Sequence, residues 1–548
     1  MNYHISKRPV KQIALWLLRA WHGNYTQAVL NALIGLAQVG VSLAQVWAVK
    51  RAIDVASGAR PGSVYWAVGT MAALILSDFA LSIASIWVRN ILGIRAQNRM
   101  QSTMLDRILR SEWNGQDRHH SGDVLNRLET DVNTVVNFLT ETLPSTLSVL
   151  ALFFGAFTYL YSMDHVLAFI IVGIIPVFVA LSKIYMSRMR ALTREVRECD
   201  SRVQSVLQET IQHRMLIKTL ESTRLMVGRL EEQQLGLRRH VVRRTRFSVF
   251  SSLALNFGFA LGYLVAFLWA ALRMQAATLT FGGMTAFLQL VNKIQTPARN
   301  LTKLAPAFVS VFTAAERLMQ LEDAPLEPQG PAQHIDGACG LWLHDISYSY
   351  PDSDERVINH LSYHFPPATC TAILGETGAG KTTLIRILLA LLHPSEGQAV
   401  IYGADGVEHE LSPLLRCNFV YVPQGNTLMS GTIRENLLLG APDATDEQMK
   451  EALRQSCAEF VLDLPQGIDT PCSERGGGLS EGQAQRIAIA RALLRGRQVM
   501  LFDEATSALD PDTERRLLHN ILSKREHTVI FITHRPAVVD YCDQVMRL

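Results

Sequence analysis

The chain has 548 residues, too many for one ordinary domain. Its 52 basic and 49 acidic residues leave a formal net charge of +3, which gives composition-level support neither to nucleic-acid binding nor to a polyacidic or polybasic partner. Hydrophobic residues make up 48% of the chain, and they are concentrated in long runs before about residue 320.

The first segment, MNYHISKRPVKQIALWLLRAWHG, is basic and amphipathic, with no small-residue cleavage site after its apolar part. It reads as a helix lying along the inner membrane surface. Six apolar stretches follow, near 25–49, 64–88, 138–161, 166–187, 247–272 and 281–303. Each meets the ~20 residues needed to cross a bilayer. Basic flanks on alternate sides argue against the buried core of a large soluble protein. The third and fourth stretches are separated only by SMDH, which predicts a tight hairpin.

The connections 89–137 and 188–246 are long and rich in arginine, among them Arg188, Arg190, Arg194, Arg197, Arg238, Arg239, Arg243, Arg244 and Arg246. An excess of Lys and Arg marks the cytoplasmic side. An even number of spans then places both termini there, in a multi-pass protein of the cytoplasmic (inner) membrane. Lys50, Arg51 and Arg60 run against the rule and are outnumbered.

Polar residues inside spans are costly and need a reason. Asn31, Gln38 and Gln45 recur every seven residues in the first span, with Gly35 and Ser42 on the same side. They form either the wall of a water-filled cavity or hydrogen-bonding glue between helices. In the sixth span Thr285, Gln289, Asn292, Lys293, Thr296, Asn300 and Lys303 recur at helical spacing. Two cations are hard to hide in a helix seam, so this stripe reads as a cavity wall. Asp78 is a lone acid in ALILSDFALSI. Counted from the outer ends at ~1.5 Å per residue, Asp78 lies about 21 Å deep and Lys293 about 18 Å, so the two are expected to share one polar pocket. The candidate substrate cavity is Gln38, Asp78, Gln289, Lys293 and Thr296.

Residues 322–340, EDAPLEPQGPAQHIDGACG, are rich in Pro and Gly without an apolar period and read as a linker. The expected division is therefore a membrane domain over 1–321, the linker, and a second domain over 341–548. The seven cysteines show no metal-ligand spacing and are expected to be free thiols.

In the second domain, TAILGETGAGKTTLIRIL is an apolar strand, a glycine-rich turn and a helix. Backbone N–H groups from Gly375 through Glu376, Thr377, Gly378, Ala379 and Gly380 can wrap phosphates, and the helix start adds partial positive charge. Lys381 is placed to reach the terminal phosphates of ATP. Thr382 offers its hydroxyl to Mg²⁺, and Thr383 follows it. VMLFDEATSALD supplies a buried strand with Asp503 and Glu504 at its carboxyl end, where ligands bind in open α/β sheets. Asp503 would hold Mg²⁺ through water and Glu504 would polarise the attacking water. VIFITHR ends a further apolar strand at His534.

These ordered motifs, together with the six spans, resemble a type I exporter half of the ATP-binding cassette (ABC) transporter family over essentially the whole chain. The resemblance implies a six-helix, all-α transmembrane domain followed by an α/β P-loop NTPase. It implies that Tyr350 of YSYPD stacks on adenine and that Gln424 of YVPQ contacts Mg²⁺ and senses the membrane domain. It implies that Ser507 and Asp510 touch an opposite site. The stretches HSGDVLNRLETDV (120–132) and LQETIQHRMLIKTL (207–220) resemble the coupling regions that press on the nucleotide domains, and SERGGG (473–478) resembles the segment before the signature.

LSEGQ (479–483) resembles the signature LSGGQ, which closes over ATP held by another subunit. Ser480, Gly482 and Gln483 would serve that site. A homodimer with two sandwiched ATP molecules is the default; a heterodimer, or a nucleotide-gated channel of the same architecture, is the alternative. The implied activity is ATP-driven export of an amphiphilic lipid, peptide or drug-like substrate. Two features depart from the family pattern. Glu481 replaces the usual Gly and is expected to face solvent, and the chain stops at DQVMRL where a further hairpin and helix are usual.

Overall fold

The computed structural model describes residues 8–23, 25–113, 121–351, 353, 355–376, 378–473, 478–523 and 525–548, with the side chains of 121, 174–187, 254–255 and 298–305 also outside the description. Thr377, His120 and residues 474–477 of the SERGGG stretch therefore lie outside the described residues, as do the side chains of Asn300 and Lys303. The chain divides into two compact units, 1–105 with 124–322 and 106–123 with 323–548.

The first unit is helical. A short helix α1 (Val10–Arg19) precedes α2 (Tyr25–Ala56), α3 (Val64–Arg110), α4 (Gly122–Met163), α5 (His165–Gln212), α6 (Thr223–Gln275) and α7 (Phe281–Glu322). The arginine-rich stretches expected as connections are largely continuations of the same helices. At ~1.5 Å per residue the 53 residues of α6 rise about 80 Å, far beyond a bilayer. An apolar run ends where the membrane ends, but Arg, Glu, Gln and Leu are good helix formers and carry the helix onward. In α4 two π-helical turns, Arg127–Asp131 and Phe138–Thr142, interrupt the α-helical ladder.

The expected hairpin is sharp. Asp164 caps α5 by accepting from Leu167 N at 3.0 Å, and its other oxygen accepts from Trp269 Nε1 at 3.1 Å and pairs with Arg273 at 3.3 Å. The C-terminal end of α2 meets α7 closely: Asp54 is buried and accepts from Gly282 N at 3.2 Å, and a Cβ at Gly282 would collide with it. Val46, Leu160, Leu167, Ile171, Phe287, Leu290 and Ile294 form the core between helices. Many large apolar side chains face outward instead, among them Trp87, Phe154 and Phe257, as a lipid-facing surface requires. Among the described residues α2, α3, α4 and α6 are long and apolar enough to cross a membrane. The other two expected spans are helical too, within α5 and α7. The fourth falls largely on side chains outside the description, and the sixth carries the polar stripe.

The second unit has two main sheets, besides a two-stranded pairing of Gly431–Thr432 with Pro471–Cys472. An antiparallel sheet pairs β1 (Gly340–Ser349), β2 (Arg356–Phe365), β4 (Glu396–Tyr402) and β5 (Glu408–Glu410) in the order β2-β1-β4-β5. The other contains β3 (Cys370–Leu374), β6 (Phe419–Val422), β7 (Val499–Asp503), β8 (Thr528–Ile532) and β9 (Gln544–Arg547) in the order β9-β3-β8-β7-β6, all parallel. Every residue of β7 and β8 is buried, the continuous apolar pattern of a strand covered on both faces. Helices α8 (Lys381–Leu388), α9 (Glu481–Arg495) and α10 (Pro511–Leu522) belong to this unit. So do residues 106–113, tied to the 323–339 stretch by Glu112 N to Pro325 O and Glu327 N to Arg110 O, both 2.9 Å. All seven cysteines are free, as composition suggested.

Candidate functional site

The parallel sheet explains how residues far apart in sequence reach one place. The glycine-rich turn follows β3, Gln424 lies two residues beyond β6, Glu504 follows β7 and His534 lies two residues beyond β8. All four therefore stand at the carboxyl edge of one sheet, where open α/β folds bind ligands.

In the turn, Gly378 and Gly380 adopt φ values of 93° and 94°, a left-handed conformation open to glycine but strained for other residues. A Cβ at Gly380 would press on Val357 O at 2.9 Å. Lys381 is buried and bends back across the turn, donating to Gly375 O at 2.6 Å and Glu376 O at 2.9 Å. Thr382 is exposed in the first turn of α8, and Ala379 N bonds Glu376 O at 3.1 Å.

Glu504 is held in a left-handed conformation, φ 50°, by the bond from its N–H to Ile532 O at 3.0 Å. A non-glycine residue in that region stores strain that the surrounding strands must hold. Its carboxylate is approached from both sides: Gln424 Nε2 donates to Oε2 at 2.6 Å and His534 Nε2 lies 3.7 Å from Oε1. Asp503 is buried and accepts from the Tyr421 hydroxyl at 3.2 Å. Burial raises the Asp503 carboxyl above the usual carboxylate range and the charge of Glu504 adds to this, while Tyr421, Lys381 and Arg386 act the other way. Burial, then the Asp503 charge, holds the Tyr421 hydroxyl protonated.

The residues present fit a hard cation. A buried carboxylate kept short of full compensation stands beside an exposed Thr hydroxyl and a side-chain amide. Among the described residues no group of three His, Cys, Asp or Glu makes a metal site by itself. That is the donor set expected where phosphate oxygens and water complete the shell of Mg²⁺.

Tyr350 sits at the end of β1. Its hydroxyl meets Thr383 Oγ1 at 3.1 Å and accepts from Arg386 Nη1 at 3.3 Å, and its ring meets Tyr348 edge-on at 5.1 Å. Arg386 lies over the Trp113 ring, 4.4 Å from its centroid. Thus a tryptophan from the segment after α3 steadies the arginine that orients Tyr350. Sequence reading passed over both Trp113 and Arg386, because nothing in their spacing links them.

LSEGQ folds into a helix start that satisfies itself. Ser480 Oγ accepts from Gln483 N at 3.2 Å and Gln483 Oε1 accepts from Ser480 N at 2.8 Å, a reciprocal capping box. Gly482 is required by close approach, since a Cβ there would lie 2.6 Å from Ala508 O. Glu481 is exposed in the first turn, where a carboxylate suits the helix dipole.

Two further residues were missed. Buried Gln485 donates to Ser507 Oγ and accepts from Ala508 N, both at 3.2 Å. Arg535, beside His534, donates to Ser507 O at 2.5 Å and Leu509 O at 2.9 Å and pairs with Glu514 at 3.1 Å. Together they fix the Ser507–Asp510 turn. Their adjacency to LSEGQ and to THR was the available signal.

In the helical unit the expected cavity residues separate. Asn31 is buried and donates to Thr140 O at 2.9 Å, and Gln45 donates to Leu74 O at 3.4 Å. These two are glue between helices. Gln38 and Gln289 are half-buried, Thr296 is exposed and bonds Asn292 O at 2.8 Å. Lys293 donates to the Ser42 hydroxyl, and Asp78 is near enough for its charge to act on Lys293.

Comparison with known proteins bears on the family and the fold. Residues 29–298 match the ABC transporter transmembrane region family and residues 358–507 match the ABC transporter family. An ATP-dependent lipid A-core flippase of Bordetella avium (strain 197N) is 30% identical over 86% of this chain and 79% of its own length. Antigen peptide transporter 2 of Mus musculus is 29% identical over 83% of this chain and 65% of its own. The solved structure of a bacterial Atm1-family ABC exporter with ATP bound superposes with a TM-score of 0.80 at 22% identity, over 96% of this chain and 94% of that one. The chain belongs to the ABC transporter family, an exporter-type half-transporter that joins a helical membrane domain to an ATPase in one polypeptide.

Proposed function

We infer that the protein exports an amphiphilic substrate across the cytoplasmic membrane by alternating access, with both termini in the cytoplasm, and that two copies sandwich two ATP molecules. The observation that carries the reading is the convergence of Gln424 and His534 on Glu504 at the sheet edge, in the same chain as the long apolar helices. The membrane part is assigned to 1–321, the linker to 322–340 and the ATPase to 341–548.

In this reading Lys381 and the amides of 375–380 hold the phosphates, and Tyr350 stacks on adenine. Thr382, Gln424 and Asp503 hold Mg²⁺, which when bound neutralises charge on the phosphate oxygens. Glu504 accepts the proton of the attacking water, with its carboxylate aimed by Gln424, and His534 stands beside the γ-phosphate. Ser480, Gly482 and Gln483, self-capped in one chain, serve the ATP of the partner. Relatives named for a lipid and for a peptide support an amphiphilic cargo without choosing between them.

The test is ATPase activity of this chain alone in lipid nanodiscs, with particle mass, beside Glu504→Gln. The expected result is a dimer that hydrolyses ATP, and a variant that binds ATP with kcat lowered at least ~100-fold. An inactive monomer would overturn the homodimer and direct the search to a different partner subunit. A steady ion current in a patched bilayer would replace export by a channel.

A further inference from the structure

Between α1 and α3 lies a cavity of about 240 Å³ whose lining includes Trp16, Arg19, His22, Arg99, Met100 and Glu322. The turn that joins α1 to α2 is shaped around Arg99. Gly23 adopts φ 87°, and a Cβ on it would collide with the Arg99 guanidinium, which therefore lies directly against the bare backbone. The one carboxylate in the lining, Glu322, already accepts from Trp16 Nε1 at 2.5 Å. Among the described residues Arg19 and Arg99 have no acidic partner within ion-pair distance. Two guanidinium groups beside an indole and a thioether make a site for an anion carried on an apolar body.

The apolar faces beside it decide which anion. Val10, Leu15 and Leu18 on α1, and Trp87 and Ile94 on α3, are exposed. Such apolar faces are stable against lipid.

We propose that this cleft binds an anionic phospholipid, with the headgroup phosphate between Arg19 and Arg99 and the acyl chains along the exposed flank of α3. The site is separate from the nucleotide site and from the candidate substrate cavity, and it requires only that the helices span a membrane.

The experiment titrates the purified full chain in mild detergent with phosphatidylglycerol, phosphatidylcholine and inorganic phosphate, counting retained lipid by native mass spectrometry. Phosphatidylglycerol is expected to be retained at roughly tenfold lower concentration than phosphatidylcholine, as two arginines at a charged interface imply. The double variant Arg19→Gln, Arg99→Gln should lose that preference while its ATPase activity in phosphatidylcholine nanodiscs stays within about twofold of wild type; Arg19→Lys with Arg99→Lys should keep it. Equal retention of the two lipids by the wild type overturns the proposal even if the variants fail to fold. So does an unchanged preference in the Gln variant. Displacement of phosphatidylglycerol by low-millimolar inorganic phosphate would assign a soluble anion instead.

Discussion

The two units handle polar groups in opposite ways. At the edge of the parallel sheet, Gln424 and His534 approach one carboxylate from separate strands, and Asp503 beside it keeps a carboxyl that burial disfavours as an anion. Among the helices, most polar groups are settled in separate pairs: Asn31 on the Thr140 carbonyl, Gln45 on that of Leu74, Lys293 on the Ser42 hydroxyl. Convergence on one point signals chemistry, because it costs stability that pairwise satisfaction would keep. Dispersed pairing signals assembly. In the helical unit Asp164 is also approached by several groups, but Leu167 N, Trp269 and Arg273 compensate it fully, whereas the Lys293 and Asp78 neighbourhood leans toward the first pattern.

The largest effect is expected at Asp503. Asp503→Asn should lower kcat about 100-fold in Mg²⁺. Its effect on the unliganded protein should have the opposite sign. A carboxyl raised in the folded state contributes stability that is full below the ordinary carboxylate range and is lost as pH rises through the raised value. Thermal unfolding of the unliganded variant should therefore lack this loss, so its Tm gains on the wild type as pH rises. A variant whose deficit grows with pH would show that Asp503 is a satisfied structural acid.

Next comes the membrane pocket. Lys293→Met and Asp78→Asn should each reduce substrate-stimulated ATPase several-fold, by similar factors, with basal activity retained. A silent Asp78→Asn beside a dead Lys293→Met would separate the two residues and return Asp78 to the dispersed class.

Trp113→Ala should raise the KM for ATP about 3–10-fold with kcat changed less than about twofold, since a cation–π contact of ~0.5–2 kcal/mol steadies the arginine behind Tyr350. An unchanged KM would detach the segment after α3 from nucleotide binding. The smallest effect is at the helix seam. Asn31→Ala should destabilise the helical unit by ~0.6–1 kcal/mol in a denaturant titration, and Gln38→Ala should cost less. Equal losses would extend the glue to the whole stripe of α2.

The order of the strand-end motifs, the glycine turn and the apolar runs was legible because each rests on local chemistry: phosphate needs N–H groups, a bilayer needs about 20 apolar residues, and acids closing a buried strand need a purpose. The sequence alone determined the family and the composite architecture, and it singled out the residues proposed for the nucleotide machinery. Contacts between distant residues were not legible. The long charged stretches turned out to be helix, since hydropathy marks the membrane edge and says nothing of where hydrogen bonding stops. Tertiary structure also decided that Asn31 and Gln45 are glue, that Trp113 reaches Arg386, that Gln485 and Arg535 hold the Ser507 turn, and that Gly23 makes room for Arg99. Each of these is a pairing across tens to hundreds of residues, and which partner a polar side chain finds depends on how helices and strands pack.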